Sequence, residues 1–200
     1  MGKNHLVSWA HKAALAVVAF VVACCCVFLS GCAENSEEAA RNAVTSELDQ
    51  IKNVDAAAIE EIAGGSAEFQ ALSTYGITAN DAYEAIFSDF DYQIEGVKVD
   101  GDKATVSVKF TSKDLGQFQS ALVAAAQQAS TDGSLTGLSQ TQMNEKIGQL
   151  VIDTIKALPT TQTDVVDFEV EKKNGKWQLA DDSGEVLQEA IFPSSLTAGY

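Results

Sequence analysis

The stretch that decides the fold is DYQIEGVKVDGDKATVSVKF, residues 91–110. Apolar and polar residues alternate along it, which is the period of a β-strand buried on one face. Asp100-Gly101-Asp102 at its centre is typical of a tight turn between two strands. The alternation shifts by one residue at Glu95-Gly96, and a β-bulge there would return the following side chains to the inward face. The segment is therefore predicted to form a β-hairpin.

A second hairpin is predicted near the end of the chain. In TDVVDFEVEKKNGKWQLA, residues 163–180, apolar residues alternate with acidic ones, and Asn174-Gly175 is the dipeptide most typical of a two-residue turn. The inward positions of the two hairpins include four aromatic side chains, Tyr92, Phe110, Phe168 and Trp177. We expect them to belong to the core. If the sheet curves around an open cavity, they would instead line a pocket for an apolar ligand.

Helices are predicted before, between and after the hairpins, because apolar residues there recur every three or four positions. Between the hairpins, one helix begins at Ser112 or Asp114, and a second begins with a capping box at Ser139 and Gln142. The other helix starts are predicted at Ser36, Asp55, Thr78 and Ser183. This order of elements predicts an α+β fold, in which an antiparallel sheet built from two hairpins has helices packed on one face and is preceded by an N-terminal helical segment.

Residues 1–31 have the three-part order of an export signal. Lys3 and Lys12 form a basic start, residues 13–28 carry no charge, and small residues and a cysteine follow. The uncharged run is shorter than the roughly 20 residues that a membrane-spanning helix needs. We therefore predict a cleaved signal peptide, and the alternative is an uncleaved anchor helix that ends near Ser30.

Leu29-Ser30-Gly31-Cys32 resembles the lipobox of bacterial lipoproteins. The resemblance implies that Leu29, Ser30 and Gly31 are recognised by the signal peptidase. It also implies that the thiol of Cys32 accepts a diacylglycerol, with acyl chains such as palmitate, before cleavage in front of it. Two or three acyl chains give stable membrane anchoring.

The predicted organisation follows from this motif. A signal peptide spans residues 1–31, a short membrane-proximal tether spans 32–39, a single α+β domain spans 40–192, and a flexible tail spans 193–200. After Cys32 the chain has 28 acidic and 11 basic residues, a net charge of about 17 negative. Nucleic acid and anionic lipid surfaces repel such a chain, so the lipid must hold it at the membrane.

The residues missing after Cys32 exclude several kinds of chemistry. Both histidines, His5 and His11, lie in the predicted signal peptide, as do Cys24, Cys25 and Cys26. Catalysis by Ser-His-Asp or Cys-His groups is therefore excluded from the processed chain. Zinc, haem and iron–sulfur sites lose their usual ligands. We predict no cofactor and no metal.

Carboxylates are the remaining candidates for chemistry. Asp89, Asp91 and Asp167 lie beside or within apolar stretches, where burial could turn one of them into a general base. The alternation points Asp167 outward, and Asp89 and Asp91 follow a helix end, so solvated edge carboxylates are the simpler interpretation. Asp100-Gly101-Asp102 and residues 181–185 are oxygen clusters that could suit Ca²⁺, but a turn and a helix cap explain them more simply.

The lipobox, the acidic helical start, the first hairpin and the closing KKNGKWQLA together resemble a group of Gram-positive lipoproteins of unknown function. The domains of these lipoproteins resemble the nuclear-transport-factor-2-like, ketosteroid-isomerase-like cone fold. Over roughly residues 40–191, the resemblance implies a curved antiparallel sheet that wraps helices around a pocket. Enzymes of that fold can use a pocket aspartate as a general base.

The sequence thus predicts a lipid-anchored, non-enzymatic protein on the extracytoplasmic side of the cell membrane. It would bind a small apolar ligand or an envelope protein, and no nucleic acid. One alternative is a pocket enzyme of ketosteroid-isomerase type with an aspartate base. Another is a structural or inhibitory module that binds a protein through its sheet edge or its hairpin turns.

Overall fold

The structure, a computed structural model, describes residues 35–54, 56–57, 59 and 71–192. In these residues an antiparallel sheet packs one face against helices, which confirms the predicted α+β class. The strands are β1 (Asp91–Asp100), β2 (Lys103–Lys113), β3 (Thr160–Gln162), β4 (Val166–Lys173) and β5 (Lys176–Leu179). They lie in the order β1-β2-β4-β5, and the short β3 pairs with β2.

Both predicted hairpins are confirmed. β1 pairs with β2 around Gly101, and β4 pairs with β5 around Asn174-Gly175. The backbone φ angle is +63° at Gly101, +55° at Asn174 and +78° at Gly175. This left-handed region costs glycine and asparagine less than other residues, which is why these residues suit the turns.

The predicted β-bulge is present as well. The pairing of β1 with β2 shifts between Ile94 and Gly96, so that Ile94 faces Val108 and Val97 faces Val106. The extra residue returns Val97 and Val99 to the inward face of the sheet, where they pack against the core.

Five helices lie wholly within the described residues. They are α1 (Ser36–Lys52), α2 (Ala79–Phe87), α3 (Phe118–Thr131), α4 (Gln140–Ala157) and α5 (Ser183–Ile191). A 3-10 turn over Leu115–Gln117 precedes α3. α2 and α4 begin with capping boxes, formed by Thr78 with Asp81 and by Ser139 with Gln142. Both starts were predicted.

Two predicted helix starts are wrong by one residue. Asn35, not Ser36, caps α1, because its side chain accepts a hydrogen bond from the N–H of Glu37 at 3.3 Å. Ser183 does not cap α5, because it is the first helical residue and lies buried behind Asp182. The predicted start at Asp55 lies outside the described residues.

The structure also corrects the start predicted at Ser112 or Asp114 and the extent of the predicted tether. Of the two positions predicted for the helix after the first hairpin, Ser112 lies in β2, and Asp114 caps the 3-10 turn by accepting from the N–H of Gly116 at 3.2 Å. α1 begins at Ser36, so residues 36–39 of the predicted tether are helical.

The core lies between the sheet and three helices. The inward side chains of β2 and β4 are almost wholly buried, namely Ala104, Val106, Val108, Phe110, Phe168 and Val170. α1 covers them with Ala40, Val44, Leu48 and Ile51, all 2% exposed or less. Burial of each large apolar side chain contributes about 1.5–3 kcal/mol, so this layer is the main source of stability.

α1 crosses the sheet obliquely. It contacts β1, β2, β4 and β5. Its C-terminal end lies at the start of β1, where Nζ of Lys52 is 2.9 Å from Oδ1 of Asp91. Since β5 is at the opposite edge of the sheet, the N-terminal half of α1 lies over β5. None of the helices in the described part of the chain is long and apolar enough to span a membrane.

Candidate functional site

The predicted lipidation site lies just outside the described residues. Cys32 and the recognition residues Leu29, Ser30 and Gly31 precede Asn35, where the described part of the chain begins. What the structure shows is the element that follows them. Asn35 caps α1, and Ala40 and Val44 of that helix are wholly buried. The folded core is thus reached within a few residues of Cys32.

Two of the four predicted pocket aromatics lie in the core. Phe110 is 0% and Phe168 is 1% exposed. Their rings contact edge to face with centroids 6.0 Å apart, and Phe110 also stacks on Phe90 at 5.8 Å. Such pairs add to the free energy of burial. For these two residues the structure shows the core alternative, and the ligand pocket stays a prediction.

Tyr92 lies on the edge strand β1, directly opposite Phe110. Its hydroxyl donates a hydrogen bond to Oδ1 of Asp49 at 2.7 Å, and Nζ of Lys52 is 5.7 Å from the ring centroid. Burial, together with the hydrogen bond to Asp49, raises the pKa of Tyr92 to about 12. These contacts fix Tyr92 against the C-terminal half of α1.

Trp177 lies at the opposite end of the sheet from Tyr92. It pairs with Lys172, whose N–H in turn donates to the carbonyl oxygen of Asp102 at the first hairpin turn. Phe110 is eight residues beyond Asp102, roughly 26 Å away along an extended strand. The four aromatics therefore share one face of the sheet, but Trp177 is remote from Tyr92 and Phe110.

The three candidate base carboxylates already have partners. Oδ2 of Asp89 is 2.6 Å from Nζ of Lys113, and Oδ1 of Asp167 accepts from the hydroxyl of Ser107 at 2.6 Å. Oδ1 of Asp91 accepts from Nζ of Lys52 at 2.9 Å. That hydrogen bond, helped by one from the N–H of Tyr92, lowers the pKa of Asp91. A carboxylate that accepts a proton as a general base near neutral pH needs the opposite shift, a raised pKa.

The buried ammonium group of Lys113 is a feature that the sequence did not indicate. Its side chain is 6% exposed, and Nζ donates to the carbonyl oxygens of Lys156 at 2.8 Å and Leu158 at 3.2 Å. These are carbonyls at the C-terminal end of α4, where a cation is favoured by the helix dipole. Alternation along β2 places Lys113 on the outward face, so no sequence signal marked it as buried.

The two predicted oxygen clusters lie at a hairpin turn and at a helix start. Asp100-Gly101-Asp102 forms the first hairpin turn, and Asp182 precedes α5 as its N-cap residue. Across the described ranges no three or more His, Cys, Asp or Glu side chains are grouped so as to hold a metal ion.

Comparison with known proteins gives little further information. No protein-family model matches the chain, and a search of curated proteins finds no relative. Among solved structures the chain is similar to a predicted lipoprotein, YcdA, from Bacillus subtilis subsp. subtilis str. 168, with 18% sequence identity and a TM-score of 0.45. The match covers 91% of this chain and 55% of that one, so the chain spans about half the length of its neighbour. Similarity at this level carries no argument about function.

Proposed function

We propose that the chain is a lipid-anchored protein of the bacterial cell membrane whose α+β domain acts as a non-enzymatic binding module on the extracytoplasmic side. The observation that carries the proposal is the position of the lipobox. Cys32 precedes Asn35, the cap of α1, by three residues, and α1 packs directly into the core. Three residues span at most roughly 10 Å, so a lipid on Cys32 would hold the domain against the membrane.

In this proposal residues 1–31 are the signal peptide and Cys32 carries a diacylglycerol. Two acyl chains anchor a protein stably, whereas a single chain binds only marginally. The domain would belong with the Gram-positive cone-fold lipoproteins that its hairpins resemble. The net charge of about 17 negative after Cys32 supports the need for a covalent anchor, because charge alone would drive the domain away from anionic lipid.

A binding role is supported by how the polar side chains are used. The chain from Ala33 to Tyr200 has no histidine and no cysteine. The pKa of Asp91 is lowered, and Asp89 and Asp167 each have a short polar contact. An enzyme of ketosteroid-isomerase type would need a carboxyl group held in an apolar pocket. The contacts of these three carboxylates favour a structural or binding protein.

The packing of the core favours an envelope protein over a small apolar ligand as the partner. A small apolar ligand on the inward face would have to displace Phe110 or Phe168, which are packed against each other. Opening a filled core costs several kcal/mol, of the size seen when such side chains are removed. The apolar ligand remains the second candidate because Tyr92 and Trp177, at the edges of the same face, are only partly buried.

Lipid labelling in a bacterial host tests the anchor. We expect the wild-type chain to incorporate a fatty-acid analogue and to appear as a processed form. Cys32→Ala should abolish labelling and leave the precursor, because the acyl acceptor is missing. Cys26→Ala is the matched control, since that cysteine lies within the predicted signal peptide and should label normally. Processing of Cys32→Ala at the wild-type position would overturn the proposal.

A further inference from the structure

The β4–β5 hairpin concentrates positive charge in an acidic protein. Lys172, Lys173 and Lys176 occur within five residues, whereas the whole chain after Cys32 has 11 basic and 28 acidic residues. We call these three side chains and Trp177 the lysine hairpin. Nζ of Lys172 lies 5.9 Å from the centroid of the Trp177 ring. An aromatic ring beside lysines is the combination that membrane–water interfaces favour.

Lys173 has two acidic neighbours, Glu171 in β4 and Asp181 just after β5. Nζ of Lys173 is 3.8 Å from Glu171 and 3.4 Å from Asp181. Both pairs are solvent-exposed, and Asp181 is 98% exposed. Exposed pairs with separations this long are weak and are screened by salt. Lys173 can therefore exchange these partners for a surface of higher negative charge density.

The lysine hairpin lies on the side of the domain where the lipid would attach. α1 contacts β5 while its C-terminal end lies at the start of β1, so its N-terminal half points towards β5. The helix begins at Ser36, four residues after Cys32. β5 pairs with the last residues of β4, next to the Asn174-Gly175 turn. An anchor at Cys32 thus brings this edge of the sheet, rather than the start of β1, towards the bilayer.

We infer that the lysine hairpin rests on anionic lipid headgroups and sets the orientation of the anchored domain. This inference depends on the lipid anchor proposed above. Lysines near an anionic surface are attracted over about one Debye length, and the remaining acidic surface is repelled by the same lipids. The two effects act together, so that the hairpin faces the membrane and the start of β1 faces away.

Trp177 offers a direct probe because it is the only tryptophan after Cys32; the other is Trp9. The processed lipoprotein is reconstituted into vesicles with or without anionic lipid, both containing a lipid with a spin-labelled headgroup. We expect stronger quenching of Trp177 fluorescence in the anionic vesicles. Added salt should reduce the difference, because it screens the attraction.

Two charge-matched variants separate a local contact from bulk charge. K172Q/K173Q/K176Q should lose about half or more of the extra quenching in anionic vesicles, because each lysine near the surface contributes separately to the attraction. K109Q/K146Q/K156Q removes the same charge elsewhere and should retain the wild-type quenching. Equal losses in both variants would overturn the inference.

Vesicle flotation distinguishes the two proposals. Protein that floats with vesicles but shows the same Trp177 quenching with and without anionic lipid contradicts the orientation and leaves the anchor standing. Protein that does not float contradicts the lipid anchor, and the orientation with it.

Discussion

The ammonium group of Lys113 lies 2.6 Å from the carboxylate of Asp89, at the junction of three elements. Lys113 ends β2, Asp89 follows α2, and the same ammonium group donates to two carbonyl oxygens at the end of α4. One side chain thus joins the sheet to two helices.

Loss of this junction should destabilise the domain. Lys113→Met leaves the two α4 carbonyls without their donor and Asp89 without its cation, so we expect the free energy of unfolding to fall by about 3 kcal/mol. Asp89→Asn should cost about 1 kcal/mol or less, because Asp89 is half exposed to water. Urea unfolding of both variants checks the difference, and equal effects would contradict the structural role given to Lys113.

Two glycine positions, one tightly packed and one open, provide a matched test of the packing around α4. A Cβ at Gly148 in α4 would overlap the carbonyl oxygen of Tyr75, whereas a Cβ at Gly96 meets no atom within 4 Å. Gly148→Ala should therefore cost about 1–3 kcal/mol, because backbone must shift to make room. Gly96→Ala should lower stability much less. If thermal unfolding shows Gly148→Ala to be as stable as Gly96→Ala, the close approach of α4 to residue 75 is wrong.

The two alternatives for the aromatic residues predict different effects of Phe110→Leu. As a core residue, Phe110 should lose about 1–2 kcal/mol of stability on this change through lost packing. As a pocket residue, it should instead change the retention of a small ligand. Native mass spectrometry after incubation with a cell-envelope extract detects such a ligand. We expect a destabilised variant and no retained small mass in the wild type; a retained mass that Phe110→Leu abolishes would establish the pocket.

The domain should become less stable at alkaline pH because two tyrosines ionise. Burial raises the pKa of Tyr83 above its usual range, and the pKa of Tyr92 is raised to about 12 from a usual value near 10. Below the unfolded-state pKa both states hold the proton, so the stabilisation is complete there. Above it the unfolded state releases the proton first, and stability is lost as pH rises through the folded-state pKa.

Urea unfolding at about pH 9 and about pH 11 measures this loss. The double variant Tyr83→Phe/Tyr92→Phe should lose less stability than the wild type between these two values, because it has no phenol to ionise at either position. A drop as large as that of the wild type would contradict the part assigned to these tyrosines.

Local patterns predicted most of the elements that local physics controls. The turns at Gly101 and Asn174-Gly175, the bulge near Gly96 and both capping boxes depend on residues close together in sequence. The short strand β3 was not predicted. It has only three residues, too few to show a period, and it exists because β2 extends beyond β4 and offers unpaired backbone groups.

The features that depend on contacts between residues far apart in the chain could not be predicted from the sequence, for a physical reason. Lys113 is buried because the end of α4, 43 residues away along the chain, lies against it. The separation of Trp177 from Tyr92 follows from strand register, which alternation alone does not give. The sequence therefore indicated which aromatics share a face, but not which of them meet.

The intact mass of the membrane-extracted protein tests the central claim most directly. We expect a chain that begins at Cys32 and carries the added mass of a diacylglycerol, with or without a further acyl chain. A chain that retains residues 1–31, or one that begins elsewhere without lipid, would contradict the lipid anchor and the proposed function built on it.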